Sequence, residues 1–136
     1  MKRAVMYGAG NIGRGFIGLL FSESGYDVAF LDINEEVIGR LNADREYPVE
    51  IVSNDGNRIV AVKNVRGVNS KVVENVVDEI LNADVMATAV GVNVLRFIAE
   101  PIAKGLSARF AAGKKPLNIL KQIATFSLLQ MPKGAK

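Results

Sequence analysis

The stretch Arg3-Ala4-Val5-Met6-Tyr7-Gly8-Ala9-Gly10-Asn11-Ile12-Gly13 decides how the rest of the chain is read. Its first five residues are nearly all apolar and are bounded by glycine, which predicts a short buried strand. A Gly-x-Gly-x-x-Gly run follows at once. A helix is then expected from about Asn11 to Ser24, with Ile12, Phe16, Leu19 and Leu20 along its packed side. On its own such a glycine run is weak evidence, because glycines are common in turns. Here it follows a strand, opens a helix and lies in a β-α-β unit that ends in an acid, which is the dinucleotide-binding fingerprint. Each glycine then has a task. Gly8 makes the tight turn, Gly10 lets a pyrophosphate approach bare backbone, and Gly13 lets the helix lie close to the strand. The whole turn, Gly8, Ala9, Gly10, Asn11, Ile12 and Gly13, is expected to cradle the phosphates. The N–H groups near Asn11 and Ile12 should face them, with the positive end of the helix dipole behind. A turn selected for packing alone is the competing reading.

Moving outward, Asp27 to Asp32 reads as a second strand, apolar enough to be covered on both faces. Asp32 closes it at the distance expected for an adenosine ribose. A carboxylate there accepts from the ribose hydroxyls and repels a 2′-phosphate, which favours NAD(H) over its phosphorylated counterpart. The alternative is that Asp32 only opens the loop and caps the next helix, a task Asn34 can perform. Ile33 is placed to flank the adenine. Glu35 and Glu36 suit the first turn of the following helix, and Val37, Ile38 and Leu41 give it an apolar side.

The alternation then breaks. Val49–Val52 and Arg58–Val62 flank Asn54-Asp55-Gly56-Asn57, a strong hairpin signal. Val65–Val68 reads as one more strand, and Val72, Val73, Val76, Val77, Ile80 and Leu81 share a helix face. Asp84–Val90 is a further buried strand, closed by Gly91. Val94, Ile98, Ile102, Leu106 and Phe110 recur every four residues in a helix that Pro101 should kink or divide. Gly113 ends it, and Pro116–Leu120 reads as a final strand. The fold class expected is α/β, a Rossmann-type doubly wound, mostly parallel sheet with an inserted β-hairpin and right-handed connections. Val90 and Gly91 fall on the same carboxyl edge as the glycine turn, so they should meet the pyrophosphate or the nicotinamide ribose. An ordinary strand-to-helix turn is the alternative there.

Composition narrows the function classes. The 136 residues suit one domain, with 49% hydrophobic and 23% charged residues. A net charge of +3 is small and diffuse, so no nucleic-acid partner is expected. Cysteine and histidine are both absent. That excludes a disulfide framework, a thiol nucleophile and the commonest metal ligands, so no metal site and no catalytic residue is assigned. No apolar run approaches the ~20 residues needed to cross a bilayer, and the first residues enter a strand rather than a signal peptide. No membrane partner and a cytoplasmic location are the expectations.

The turn extends beyond the general fingerprint. Tyr7-Gly8-Ala9-Gly10-Asn11-Ile12-Gly13-Arg14-Gly15-Phe16-Ile17-Gly18 resembles the opening of the mannitol-1-phosphate 5-dehydrogenases, within the polyol-specific long-chain dehydrogenase family. The resemblance continues through Leu31-Asp32-Ile33-Asn34, Val65-Arg66-Gly67-Val68-Asn69 and Ala87-Thr88-Ala89-Val90-Gly91. It runs on through Ile98-Ala99-Glu100-Pro101-Ile102-Ala103-Lys104-Gly105-Leu106 to Pro116-Leu117-Asn118-Ile119. It implies NAD-dependent interconversion of mannitol 1-phosphate and fructose 6-phosphate, with the glycines, Asp32 and the Val90-Gly91 turn holding the cofactor. It also implies that Asn11 and Arg14 shape the nicotinamide end.

Residues 1–120 are thus expected to be an NAD-binding Rossmann domain, and 121–136 a tail that departs from the family. In the family a helical second domain supplies the catalytic lysine and its partners, including a histidine. That domain is absent here, so the chain alone is expected to be inactive, with the sugar phosphate reached only through it. Lys121 stands in the wrong context to replace that lysine. The carboxyl edge of the sheet is expected to be left uncovered, with Phe126, Leu128 and Leu129 either covering it in part or driving self-association. A non-catalytic NAD-binding regulatory module is the second reading. A methyltransferase, which also joins a glycine turn to an acid, is a third that the glycine spacing disfavours.

Overall fold

A computed structural model describes residues 1–123. The chain runs β1 (Arg3–Tyr7), a π-helical turn (Gly13–Ile17) continuing into α1 (Gly18–Glu23), β2 (Asp27–Asp32), α2 (Glu35–Asp44), β3 (Glu46–Ser53), β4 (Gly56–Lys63), β5 (Val65–Asn69), α3 (Val73–Leu81), β6 (Val85–Val90), α4 (Val92–Ala111) and β7 (Ile119–Ile123). Five strands form one parallel sheet in the order β5-β2-β1-β6-β7, and β3 and β4 pair antiparallel as a separate ribbon. This is the doubly wound sheet with an inserted hairpin that the alternation of strands and helices predicts. The strand order reverses beside β1, so the carboxyl ends of β1 and β6 part there and leave a crevice.

Alternate residues of each strand feed two cores. Ala4, Met6, Val28 and Phe30 pack with Ile17 and Phe21 and with Val62 of the hairpin. Val5, Leu31 and Met86 pack on the opposite face with Val76, Ile80 and Ile98. Asn34 caps α2 as expected, its side-chain oxygen accepting from the N–H groups of Glu36 and Val37 at 3.1 and 3.2 Å.

Several expectations are corrected. The helix after the glycine turn is not regular: the N–H of Gly18 donates to the carbonyl of Gly13, five residues back. That extra residue turns Phe16 and Leu20 outward, to 57% and 49% exposure, and brings Gly13, Ile17 and Phe21 inward. A Cβ on Gly18 would lie 2.7 Å from atoms of Phe30 and Tyr47, so the wound turn seats glycine where the hairpin leans in.

Helix α4 is not divided at Pro101; it runs unbroken from Val92 to Ala111. Its expected stripe holds only in part: Ile98 is buried, and Leu95 and Ile102 pack against the same core, while Val94, Leu106 and Phe110 are exposed. A spacing of four advances about 40° per step around a helix, so Phe110 lies about 160° from Val94. The fully buried residues of the helix are Ile98, Gly105 and Arg109, and Phe110 is 88% exposed. At Gly105 a Cβ would meet Ile80 at 2.8 Å, which marks the close crossing of α3 and α4.

The hairpin strands are longer than expected and share the two-residue turn Asn54-Asp55, with Ser53 opposite Gly56. The final strand starts three residues later than read, at Ile119, and reaches Ile123, past the expected boundary at 120. Phe126, Leu128 and Leu129 lie outside the described residues. Among the described residues, no helix is long and apolar enough to cross a membrane.

Candidate functional site

The glycine turn shows which of its residues the fold itself requires. Gly8 has φ +111°, and a Cβ there would run into the carbonyl of Ala89 on β6. A Cβ on Gly13 would strike the carbonyl of Gly8. Packing therefore accounts for both. At Gly10 a Cβ would meet nothing within 4 Å, and that residue is exposed at the mouth of a cavity. Packing alone does not explain a glycine at that position.

The cavity, of about 610 Å3, sits at the carboxyl ends of β1, β2 and β6 and the start of α4. Gly8, Gly10, Asp32, Ile33, Val90 and Gly91 open into it, so the two separate regions singled out in the sequence meet in one place. Among the described residues that line it, Asp32 alone carries a formal charge, and Ile33 is 60% exposed at its rim. Ala9, Asn11, Ile12, Gly13 and Arg14 do not line it. Ala9 and Gly13 are buried beneath the turn, and Ile12 packs against the core.

Asn11 and Arg14 instead line a shallower cleft with Tyr47, Pro48 and Glu50 of the hairpin. They therefore lie against the hairpin rather than in the cavity that Gly10 and Asp32 line. Arg14 works on the backbone of the turn. Its Nε donates to the carbonyl of Ala9 at 2.8 Å, and its own carbonyl accepts from the Tyr47 hydroxyl at 2.6 Å.

Asp32 does more than close its strand. Its Oδ2 accepts from the N–H of Ala9 at 2.7 Å, and its Oδ1 from the N–H of Asn34 at 2.9 Å. A carboxylate has about four acceptor positions, so two remain for a ligand. Beneath the turn, Arg14 N–H bonds to the Gly10 carbonyl at 2.9 Å, which leaves the helix-opening N–H groups before it without an intrahelical acceptor. Bare backbone at Gly10, those amides and the Asp32 carboxylate suit a nucleotide.

Tyr7, Ser70, Val94, Phe97 and Pro101 also line the cavity, and the sequence reading missed them as site residues. Burial raises the Tyr7 phenol above its ordinary value; the Ser70 side chain opposes that and Asp32 adds to it. A signal existed for Phe97. It is a large apolar residue off the packing stripe of α4, and it is 66% exposed at the cavity rim.

Comparison with known proteins agrees with this architecture. The model of the mannitol dehydrogenase Rossmann domain matches residues 2–121. The mannitol-1-phosphate 5-dehydrogenase of Ajellomyces capsulatus is 46% identical over 120 residues, covering 88% of this chain and 30% of that protein. Its counterpart from Shouchella clausii is 49% identical over 119 residues, covering 87% and 31%. The chain thus spans about a third of the length of these relatives. A Burkholderia pseudomallei protein of known crystal structure shares the fold alone, at 18% identity and a TM-score of 0.51 over 89% of this chain and 47% of that one. A Rossmann domain in a dehydrogenase family implies a nucleotide cofactor. By a family match that spans nearly the whole described sheet, this chain belongs to the mannitol dehydrogenase family, as its Rossmann domain.

Proposed function

We propose that this chain binds NAD(H) in the cavity beside Gly10 and Asp32, as the cofactor domain of a cytoplasmic mannitol-1-phosphate 5-dehydrogenase. The observation that carries this reading is the pairing of a glycine with no packing duty and a cavity-lining carboxylate with free acceptor positions. Asp32 receives the adenosine ribose hydroxyls and turns away a 2′-phosphate. Ile33 lies along the adenine. The turn from Gly8 to Gly13 holds the pyrophosphate on backbone amides, with Arg14 bracing the turn from outside the cavity. Val90 and Gly91 border the nicotinamide half.

When bound, the cofactor supplies the hydride acceptor for oxidation of mannitol 1-phosphate to fructose 6-phosphate. No group of this chain is assigned to take the substrate's hydroxyl proton. General acid–base help contributes about 10²–10⁴-fold and positioning more, so the chain alone should bind cofactor without turnover.

Fluorescence titration tests the reading. NADH should bind at least tenfold more tightly than NADPH, and equal binding would overturn the assignment of Asp32. Turnover of mannitol 1-phosphate near ~10 s⁻¹, the median for enzymes, would show that the chain carries its own acid–base groups.

A further inference from the structure

Ala9 is held from both sides. Its carbonyl accepts from the Arg14 guanidinium at 2.8 Å, and its N–H donates to Asp32 at 2.7 Å across 23 residues of sequence. The other Asp32 oxygen holds the N–H of Asn34 at 2.9 Å. One carboxylate therefore ties the turn after β1 to the loop after β2. Any rotation of that side chain removes one of the two ties on Ala9 and loosens the amides that would face a phosphate.

We propose that Asp32 is a positioning residue for the glycine turn as well as a ribose acceptor, so that ribose and phosphate binding are coupled through it. This rests on the NAD(H) reading above. A ribose bonded to the free acceptor positions restricts the carboxylate to the orientation that already holds Ala9. The turn is then kept ready for phosphate, and by linkage phosphate favours ribose equally.

Charge and position predict opposite signs for an Asp32 variant, which makes the idea decidable. Removing a negative charge beside an anion site strengthens anion binding by Coulomb's law. Releasing the turn weakens it.

The test is an NMR titration of the full chain with inorganic pyrophosphate and with adenosine, each alone and together. Saturating adenosine should tighten pyrophosphate binding about fivefold and move the Ala9 amide resonance when added alone. In Asp32→Asn, which keeps the shape and drops the charge, pyrophosphate should bind about tenfold more weakly, with the coupling gone.

Pyrophosphate binding that is equal or tighter in a folded Asp32→Asn would overturn the proposal. So would adenosine that leaves both the affinity and the Ala9 amide of the unmutated chain unchanged, a measurement independent of whether the variant folds. If NADH binds while coupling is absent, this inference fails and the cofactor reading stands. If neither NADH nor pyrophosphate binds, both fail.

Discussion

The side chain of Asn42 on α2 occupies the place of a missing strand beside Gly67 on β5. Its amide nitrogen donates to the Gly67 carbonyl at 3.0 Å, and its oxygen accepts from the Gly67 N–H at 2.9 Å. One turn along, Arg45 Nε donates to the Val65 carbonyl at 2.8 Å. Strand β5 is an edge strand, and its odd-numbered residues turn their backbone groups away from β2. Two side chains of one helix thereby close an edge that would otherwise invite pairing with another chain.

Replacing Asn42 with alanine should reopen that edge. Two backbone groups lose their partners, at a cost of about 1–3 kcal/mol. Sedimentation velocity should show larger species accumulating with concentration in Asn42→Ala relative to the unmutated chain. An unchanged distribution together with unchanged stability would mean that water replaces the amide without loss.

The glycines of the turn should separate into two classes. Gly10→Val fills open space at the cavity mouth, so the chain should melt normally while NADH binding disappears. Gly13→Ala drives a methyl into the Gly8 carbonyl, and overpacking of this kind costs about 1–3 kcal/mol or more. Calorimetry and NADH titration on the two variants check the division. Matching destabilisation in both would return the turn to a purely packing role.

Arg109 is 7% exposed and, among the described residues, forms no ion pair. Its guanidinium donates to the carbonyls of Ile80, Leu81 and Ala83 at the end of α3, at 2.8 to 3.1 Å, and to Lys115 at 2.6 Å. A cation at a helix C-terminus is favourable, and here it also joins α3, α4 and the approach to β7. Arg109→Met should lower the urea-unfolding free energy by about 3 kcal/mol, because several buried carbonyls lose a charged donor. Arg109→Lys should restore only part, since an ammonium lacks the planar fork. Full restoration by lysine would show that charge alone matters.

Alkaline stability should report on the hairpin. Burial pushes the Tyr47 phenol above its ordinary value of 10.0, with Arg14 opposing. The unfolded chain therefore releases that proton first. The contribution of Tyr47 is complete below pH 10 and is lost as pH rises from there toward the raised folded value. Tyr7 adds a limb of the same sign. Unfolding free energy should fall above pH 10, and Tyr47→Phe should flatten the fall. An alkaline limb that neither Tyr47→Phe nor Tyr7→Phe changes would assign it to other groups.

Much of this protein was legible one residue after another. The apolar runs Arg3–Tyr7, Asp27–Asp32 and Asp84–Val90, the glycine spacing, the cap at Asn34 and the Asn-Asp-Gly turn each encode local geometry within a few residues. The sheet class followed from their order, and Asp32 from its distance to the turn.

Tertiary structure decided the remainder, because the deciding atoms come from far along the chain. The approach of Tyr47 and Phe30 to Gly18 accompanies a wound turn that rotates Phe16 and Leu20 outward, against the helical period. Nothing in the local sequence marks Arg109, which is buried because α3 ends against it. Asn42 gives no local sign of its partner, which it gains only because β5 lies alongside. Asp32 reads as a ribose acceptor, and only the folded sheet sets it against Ala9, 23 residues away, where it also holds the turn. Hydrogen bonds and close contacts of this range leave no periodic trace in a sequence, since they depend on which elements the sheet makes neighbours.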